Sequence, residues 1–190
     1  MKKTFVKMVI IASAILAILI SIPLSTYAYA TLVFRHRNSN IYYYYDNWTD
    51  PRGVSFFSSG ASAWRVKTTE AQIFHYSNNP GSGFNVYMSV GNIPEVTWDG
   101  FTNTNYSTTS PYYVNSQTVT INRAYTSTWN NDGALQSVVV HEMGHVFGLD
   151  DYGHNRTIMN GYTFGANSRY GAYGLTVPQT DDVNGVNAKY

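Results

Sequence analysis

The chain of 190 residues contains no cysteine, and charged residues make up only 12% of it. Without cysteine the protein has no disulfide, so its stability must come from other sources, such as side-chain packing. Twelve basic residues stand against 11 acidic ones, and this near balance gives no sign of a nucleic-acid partner. The sequence also shows no internal repeat.

Long apolar runs are scarce, and the one that stands out lies at the N-terminus. Three lysines precede it, it extends over residues 8–22, and Ala28-Tyr29-Ala30 follows it. A basic start, a short apolar stretch and an Ala-x-Ala ending are typical of a secretory signal peptide. The run is shorter than the roughly 20 residues of a spanning helix, although an uncleaved membrane anchor is the alternative. We therefore predict a signal peptide over residues 1–30, cleaved after Ala30, and a secreted, extracellular product.

The remaining residues, 31–190, suffice for one domain with a core of its own and leave no room for a second. Removing the leader takes away three lysines and no acid, so nine basic residues remain against 11 acidic ones. The mature chain is expected to carry a net charge near −2.

The most informative stretch is residues 141–151, which read HEMGHVFGLDD. On a helix, His141 and His145 stand one turn apart on the same face, so their imidazoles can converge on one metal ion. Glu142 is rotated away from them by about a quarter-turn, which places its carboxylate beside the metal, where it can take a proton from a water. The pattern predicts a zinc-hydrolase centre with His141 and His145 as ligands and Glu142 as general base.

Gly148 indicates where the third ligand comes from. Glycine accepts the left-handed conformation that ends a helix, so the chain can turn back and bring Asp151 toward the metal. This is the spacing of the long zincin signature, which is followed by a methionine turn, and Met159 lies where that methionine is expected. His154, three residues beyond Asp151 in the same loop, is the alternative third ligand.

These residues, together with Ile158 and the C-terminal stretch DDVNGVNAKY, resemble the metzincins. Among these zinc proteases they are most similar to the matrixins, the family of the matrix metalloproteinases and their bacterial relatives. The resemblance is strong from about residue 118 onward and only architectural before it. Asp151 stands where most matrixins have a third histidine, as in the snapalysin-like bacterial metzincins, and a carboxylate is an acceptable zinc ligand.

The resemblance implies an endopeptidase that hydrolyses internal peptide bonds of a protein or peptide substrate with one catalytic Zn²⁺. It implies a monomer with no stable membrane association after leader cleavage. Met159 would pack beneath the metal, and Tyr162 would stabilise the oxyanion or line the pocket. The cysteine-capped propeptide of vertebrate matrixins is excluded, and their structural zinc site is not expected, because only His75 lies in the corresponding region. A structural Ca²⁺ is left open.

The predicted fold class is α+β, a metzincin-type catalytic domain with a twisted mixed sheet, two backing helices, an active-site helix and a small C-terminal part with one closing helix. Helices are predicted to open at Asp50-Pro51, near Asp132 as capping residue, and at Thr180. Strands are predicted over residues 71–76, 85–90 and 118–122, with strand and loop over residues 98–113. Asp181 and Asp182, in the first turn of the last helix, would either compensate its dipole or, as in matrixins, hold the mature N-terminal amine.

Other interpretations remain open. An exported zinc-binding module without protease activity, such as an adhesion or binding protein, would leave Glu142 unused. A zinc hydrolase acting on a non-peptide bond would share the same motif. The tyrosines at residues 42–45 form either an aromatic surface for carbohydrate or an ordinary strand. His36 and His75 have no ligand-spaced partner and are expected to be surface or strand residues.

Overall fold

The structure, a computed structural model, describes residues 29–45, 49–68, 70–76, 86–153 and 156–190. Two features considered above therefore lie outside the described residues: most of the leader, and His154. A turn that the sequence Asn78-Asn79-Pro80-Gly81 predicts also lies outside them. Within the described ranges, no helix has the length and apolar character needed to cross a membrane.

Seven strands and four helices follow one another along the described chain. In order they are β1 (Ala30–Thr31), β2 (Asn40–Tyr44), α1 (Pro51–Arg65), β3 (Gln72–His75), β4 (Val86–Gly91), β5 (Gly100–Tyr106), β6 (Val114–Asn122), α2 (Thr126–Trp129), α3 (Asp132–Val146), β7 (Leu149–Asp150) and α4 (Thr180–Lys189). The predicted strands are each confirmed within a few residues. The tyrosine run is strand β2, in which residues alternate between a buried and an exposed face.

Five strands form one mixed sheet in the order β3-β2-β4-β6-β5. Neighbouring strands are parallel except for β5, which pairs antiparallel with β6 at the edge of the sheet. Helices α1 and α3 pack against the sheet and against each other, and the main core lies between them and the sheet. The predicted α+β class with a mixed sheet, backing helices and a closing helix is confirmed.

Helix α1 begins as predicted, with the Asp50 carboxylate accepting a hydrogen bond of 2.9 Å from the backbone N–H of Arg52. Phe57, Ala61 and Trp64 follow one another at spacings of four and three and are buried on one face of the helix. Val54, three positions before Phe57, is only half-buried. In this first turn it is Gly53 that is buried against the sheet. A β-carbon at Gly53 would overlap the side chain of Val90 on β4.

Helix α3 crosses the centre of the molecule and is buried on almost all sides. Its cap is Asn131, whose side-chain oxygen accepts from the backbone N–H of Ala134 at 3.1 Å. The prediction that Asp132 caps the helix is wrong by one residue, since Asp132 is its first helical residue. Trp64 of α1 donates a 2.8 Å hydrogen bond to the carbonyl of Val140, which joins the two helices.

Closing helix α4 begins at Thr180, as predicted, and buries Gly185 and Val186, whereas Val183 and Tyr190 are half-buried. A β-carbon at Gly185 would lie 2.8 Å from Leu149 Cδ2 and 3.0 Å from Tyr29 Cγ. The helix therefore packs on a two-stranded sheet in which β1 pairs antiparallel with β7. This small sheet connects the start of the described chain to the segment that follows helix α3.

Candidate metal centre and its cleft

His141 and His145 lie one turn apart on α3, and their Nε2 atoms are 3.2 Å apart. His141 Nδ1 lies 2.9 Å from the carbonyl oxygen of Ile158, and His145 Nδ1 lies 2.9 Å from that of Leu149. A carbonyl oxygen only accepts, so each Nδ1 carries a hydrogen, and in a neutral imidazole of this tautomer Nε2 presents a lone pair. Two facing lone pairs do not form a hydrogen bond. A cation between the two nitrogens satisfies both of them.

The charge state of His141 agrees with this arrangement. Burial lowers its pKa well below the ordinary value, and the nearby Arg169 and His145 act in the same direction. The opposing hydrogen bond to Ile158 has a smaller effect. His141 is therefore a neutral imidazole, the form in which histidine binds metals.

Asp151 lies close to the two histidines, after the turn at Gly148. Helix α3 ends at Val146, and Gly148 adopts a left-handed φ of 84°, a conformation that favours glycine. The chain then passes through β7, and the Asp151 carboxylate returns toward the histidines. Its Oδ1 lies 3.3 Å from His141 Nε2 and 3.6 Å from His145 Nε2.

The three donor atoms fit a zinc ion. Zinc bound tetrahedrally at about 2.0–2.1 Å has ligand-to-ligand edges of roughly 3.3–3.4 Å. The observed separations of 3.2, 3.3 and 3.6 Å are close to those edges. In the part of the chain that the structure describes, these residues form the one group of three His, Asp or Glu side chains whose donor atoms converge in this way. The Asp151 side chain is 57% exposed, so this side of the site opens to solvent.

Glu142 follows His141 on the helix and is 4% exposed. Its carboxylate oxygen Oε2 accepts a hydrogen bond of 2.7 Å from the hydroxyl of Thr102 on β5. Burial raises the pKa of Glu142 above its ordinary value, while His145, the Thr102 hydrogen bond and Arg169 oppose the shift. A raised pKa makes the carboxylate a better proton acceptor, as a general base requires.

The methionine turn lies directly beneath the histidines. Met159 is 2% exposed, and its sulfur packs against Gly144, where a β-carbon would overlap it. The preceding residue, Ile158, offers its carbonyl oxygen to His141. The backbone N–H of Tyr152 donates to the carbonyl of Met159 at 2.8 Å, which ties the loop after Asp151 to the turn.

Asp182 has a role that neither sequence-based alternative named. It is 1% exposed, and its carboxylate accepts from the backbone N–H groups of Ile158, Met159 and Gln179 at 2.9, 3.2 and 2.7 Å. Burial raises its pKa to about 6 against the opposing effect of these hydrogen bonds. Asp182 on the closing helix thus holds the backbone N–H groups of Ile158 and Met159. The carbonyl oxygen of Ile158 in the same turn orients the ring of His141.

Sequence reasoning also missed Arg169, which is 1% exposed. Its guanidinium donates to the carbonyl of Asn160 at 2.8 Å and to the hydroxyl of Thr163 at 2.6 Å, and it lies 3.9 Å from Asp99. Burial lowers the pKa of Arg169, opposed by the neighbouring acids. It fixes the chain after Met159. No spacing pattern marks this single arginine in a segment rich in Gly, Ser, Asn and Tyr.

A cleft of about 570 Å³ runs over the three donor atoms and Glu142. One wall includes residues 97–102 and the other includes residues 161–164. Tyr162 therefore lines the cleft, which is one of the two roles expected for it. Tyr162 is 57% exposed. Trp98 and Phe101 stack on the opposite wall with ring centroids 5.5 Å apart.

Comparison with known proteins gives limited similarity. No family model matches the chain, and no curated protein matches it. Among solved structures, it is similar to high choriolytic enzyme 1, a hatching enzyme zinc-protease from Oryzias latipes (medaka fish), with 16% identity and a TM-score of 0.35. The match covers 66% of this chain and 51% of that one, about half of its length.

Proposed function

We propose that the chain is a zinc-dependent endopeptidase of the metzincin type, similar to the matrixins, with His141, His145 and Asp151 as zinc ligands. The observation that carries the proposal is the set of three donor atoms at the edge lengths of a tetrahedral zinc site, with the Glu142 carboxylate beside it. Two histidines and a carboxylate form a working ligand set in other zinc hydrolases.

Bound zinc would polarise the scissile carbonyl group and lower the pKa of a water. Glu142 takes a proton from that water as it attacks the peptide carbonyl, and then passes the proton to the leaving amine. Its burial and raised pKa suit both steps. The cleft walls at residues 97–102 and 161–164 hold the peptide on either side of the scissile bond. Met159 packs beneath the histidines and takes no part in the chemistry.

The remaining parts of the proposal concern the context of the enzyme. Residues 1–30 act as an export signal, residues 31–190 form the secreted catalytic domain, and the mature protein works as a monomer on a protein or peptide substrate, with no nucleic-acid partner. The N-terminal sequence pattern supports export.

The test is hydrolysis of casein by the purified protein, with and without a chelator, and after re-addition of one equivalent of Zn²⁺. Cleavage at internal peptide bonds, lost with the chelator and restored by zinc, is the expected result. Stoichiometric zinc binding without hydrolysis of any peptide substrate would favour a zinc-binding module instead. Cleavage that persists in the chelated, zinc-free protein would remove the proposal.

A further inference from the structure

Edge strand β5 lies along the active-site helix, and two of its residues face the proposed general base. Gly100 and Thr102 are two positions apart, so they share one face of the strand. Both contact Glu142. Among the described strands, β6 is the one that pairs with β5, and the opposite side of β5 has no strand partner there. Contacts with the helix, including those at Gly100 and Thr102, therefore help to position this strand.

The contact at Gly100 sets how closely the strand approaches the helix. A β-carbon there would lie 2.6 Å from Glu142 Oε1, 2.8 Å from Glu142 Cγ and 2.6 Å from Val138 Cγ1. Real β-carbon contacts are longer than this, so any other residue at position 100 would push the carboxylate aside. The missing side chain leaves the space that Oε1 occupies, and Gly100 itself lines the cleft.

The contact at Thr102 sets the orientation of the carboxylate. Its hydroxyl oxygen lies 2.7 Å from Oε2 of Glu142 and 3.1 Å from the main-chain oxygen of the same residue. An ionised carboxylate only accepts hydrogen bonds, so the threonine hydroxyl is the donor. Among the described residues, Thr102 is the side chain that hydrogen-bonds to this carboxylate.

We propose that Thr102 is a positioning residue that fixes the Glu142 side chain in one rotamer, with Oε2 held by the hydroxyl and Oε1 left over Gly100 to take the proton. This inference rests on the proposed function. A glutamate has three rotatable side-chain bonds, and a general base must lie within hydrogen-bond reach of the proton that it abstracts. A displacement of about 1 Å from that geometry can cost roughly 100-fold in rate.

The experiment compares Thr102→Val, which keeps the shape and removes the hydroxyl, with Thr102→Ser, which keeps the hydroxyl. Thr118→Val on β6 is the matched control, because Thr118 pairs with Asn103 beside the same edge strand and its side chain is exposed. For Thr102→Val we expect kcat on a peptide substrate to fall about 10- to 100-fold, with KM, zinc content and thermal midpoint close to wild type. Thr102→Ser and Thr118→Val should each retain kcat within a few-fold of wild type.

A second measurement separates this inference from the proposed function. In crystal structures of zinc-free Thr102→Val, the Glu142 carboxylate should adopt a different or a mixed orientation, whereas in zinc-free Thr102→Ser it should keep the wild-type one. This comparison applies even if the wild-type protein cleaves no peptide. An unchanged kcat or an unchanged Glu142 orientation in Thr102→Val would overturn the inference. Loss of zinc or folding in that variant, or failure of serine to restore kcat, would also overturn it, because Thr102 would then be structural.

Discussion

The sulfur of Met159 packs against Gly144, the residue that directly precedes His145 on helix α3. A β-carbon at position 144 would overlap that sulfur and would also lie 3.1 Å from Met159 Cε and 3.3 Å from Trp64 Cζ2. The methionine turn therefore contacts the helix at a residue that has no side chain. This contact sets the distance between the methionine turn and the helix that carries His141 and His145.

The first prediction follows from that contact. Gly144→Ala should destabilise the protein by about 1–3 kcal/mol, the usual cost of forcing extra atoms into a packed core. In a Met159→Ala background the same substitution should cost much less, because the overlapping sulfur is gone. Urea denaturation of the four proteins of this double-mutant cycle measures the coupling. Equal costs in the two backgrounds would show that the methionine does not limit position 144.

The second prediction concerns Asp182 and pH. Its pKa is raised from 3.8 to about 6 in the folded protein, so the folded state binds this proton more tightly than the unfolded chain. The resulting stabilisation is full below pH 3.8 and is lost as pH rises through about 6. Relative to Asp182→Asn, the wild type should lose up to about 3 kcal/mol between pH 4 and pH 7.

Denaturant unfolding of both proteins across that pH range provides the measurement, and the variant cancels the contribution of the other carboxyl groups. If the free energies of unfolding of the two proteins changed in parallel with pH, the prediction would be wrong. The hydrogen bonds from Ile158, Met159 and Gln179 would then offset the cost of burying the Asp182 charge. At acidic pH both side chains are uncharged. A lower stability of Asp182→Asn there would mean that its amide group disturbs those backbone donors.

The proximity of His141, His145 and Asp151 could be predicted because it is local. His141 and His145 are brought together by the helical repeat, and Gly148 has the positive φ that its position implied. Each of these relationships spans a few residues. Helix starts were also predictable, although Asn131 and Asp132 are equally good caps, and sequence could not choose between them.

The contacts that support the site come from distant parts of the chain, and no spacing rule links them to the motif. Thr102 reaches Glu142 across 40 positions, and Asp182 reaches Ile158 across 24. His36, expected at the surface or in a strand, is 5% exposed. Its ring nitrogen lies 2.8 Å from the side-chain oxygen of Gln117, 81 positions away, and burial lowers its pKa to about 4. Only the folded chain brings such pairs together.

The third prediction tests Glu142 as the general base. Glu142→Gln should bind one zinc per chain as tightly as wild type, because the side chain is not a ligand in the proposed site. Its kcat should fall by about 10²- to 10⁴-fold, the contribution expected of a positioned proton acceptor. Zinc content by atomic absorption and initial rates on casein give the two values. Turnover at the wild-type rate would remove Glu142 from the mechanism.

The fourth prediction concerns the N-terminus. Cleavage after Ala30 falls within β1, where Ala30 pairs with Asp150, and it separates Tyr29 from its contact with Gly185. Mass spectrometry of culture supernatant should find a chain that begins at Thr31. That chain should be less stable than one beginning at Tyr29, on the order of 1 kcal/mol for the lost apolar contact. Full-length protein confined to the membrane fraction would instead support an uncleaved anchor.

The last prediction concerns the third zinc ligand, for which Asp151 and His154 compete. The described geometry favours Asp151, because its Oδ1 lies within 3.6 Å of both Nε2 atoms. Loss of a ligand should weaken zinc binding by orders of magnitude, whereas loss of a neighbouring side chain should cost about 10- to 100-fold or less. Asp151→Ala should therefore yield largely metal-free, inactive protein, and His154→Ala should keep its zinc and most of its activity.

Asp151→His provides the matched substitution, since it exchanges the anionic ligand for a neutral one at the same position. The Asp151 carboxylate offsets part of the charge of the metal, so a third histidine should make a zinc-bound water more acidic. Asp151→His should accordingly bind zinc better than Asp151→Ala and shift the pH–rate profile toward acid. Zinc titrations of the three variants decide between the two ligands. If His154→Ala empties the site while Asp151→Ala stays loaded, then His154 is the ligand, and the loop after Gly148 must approach the metal by a different path when zinc is bound.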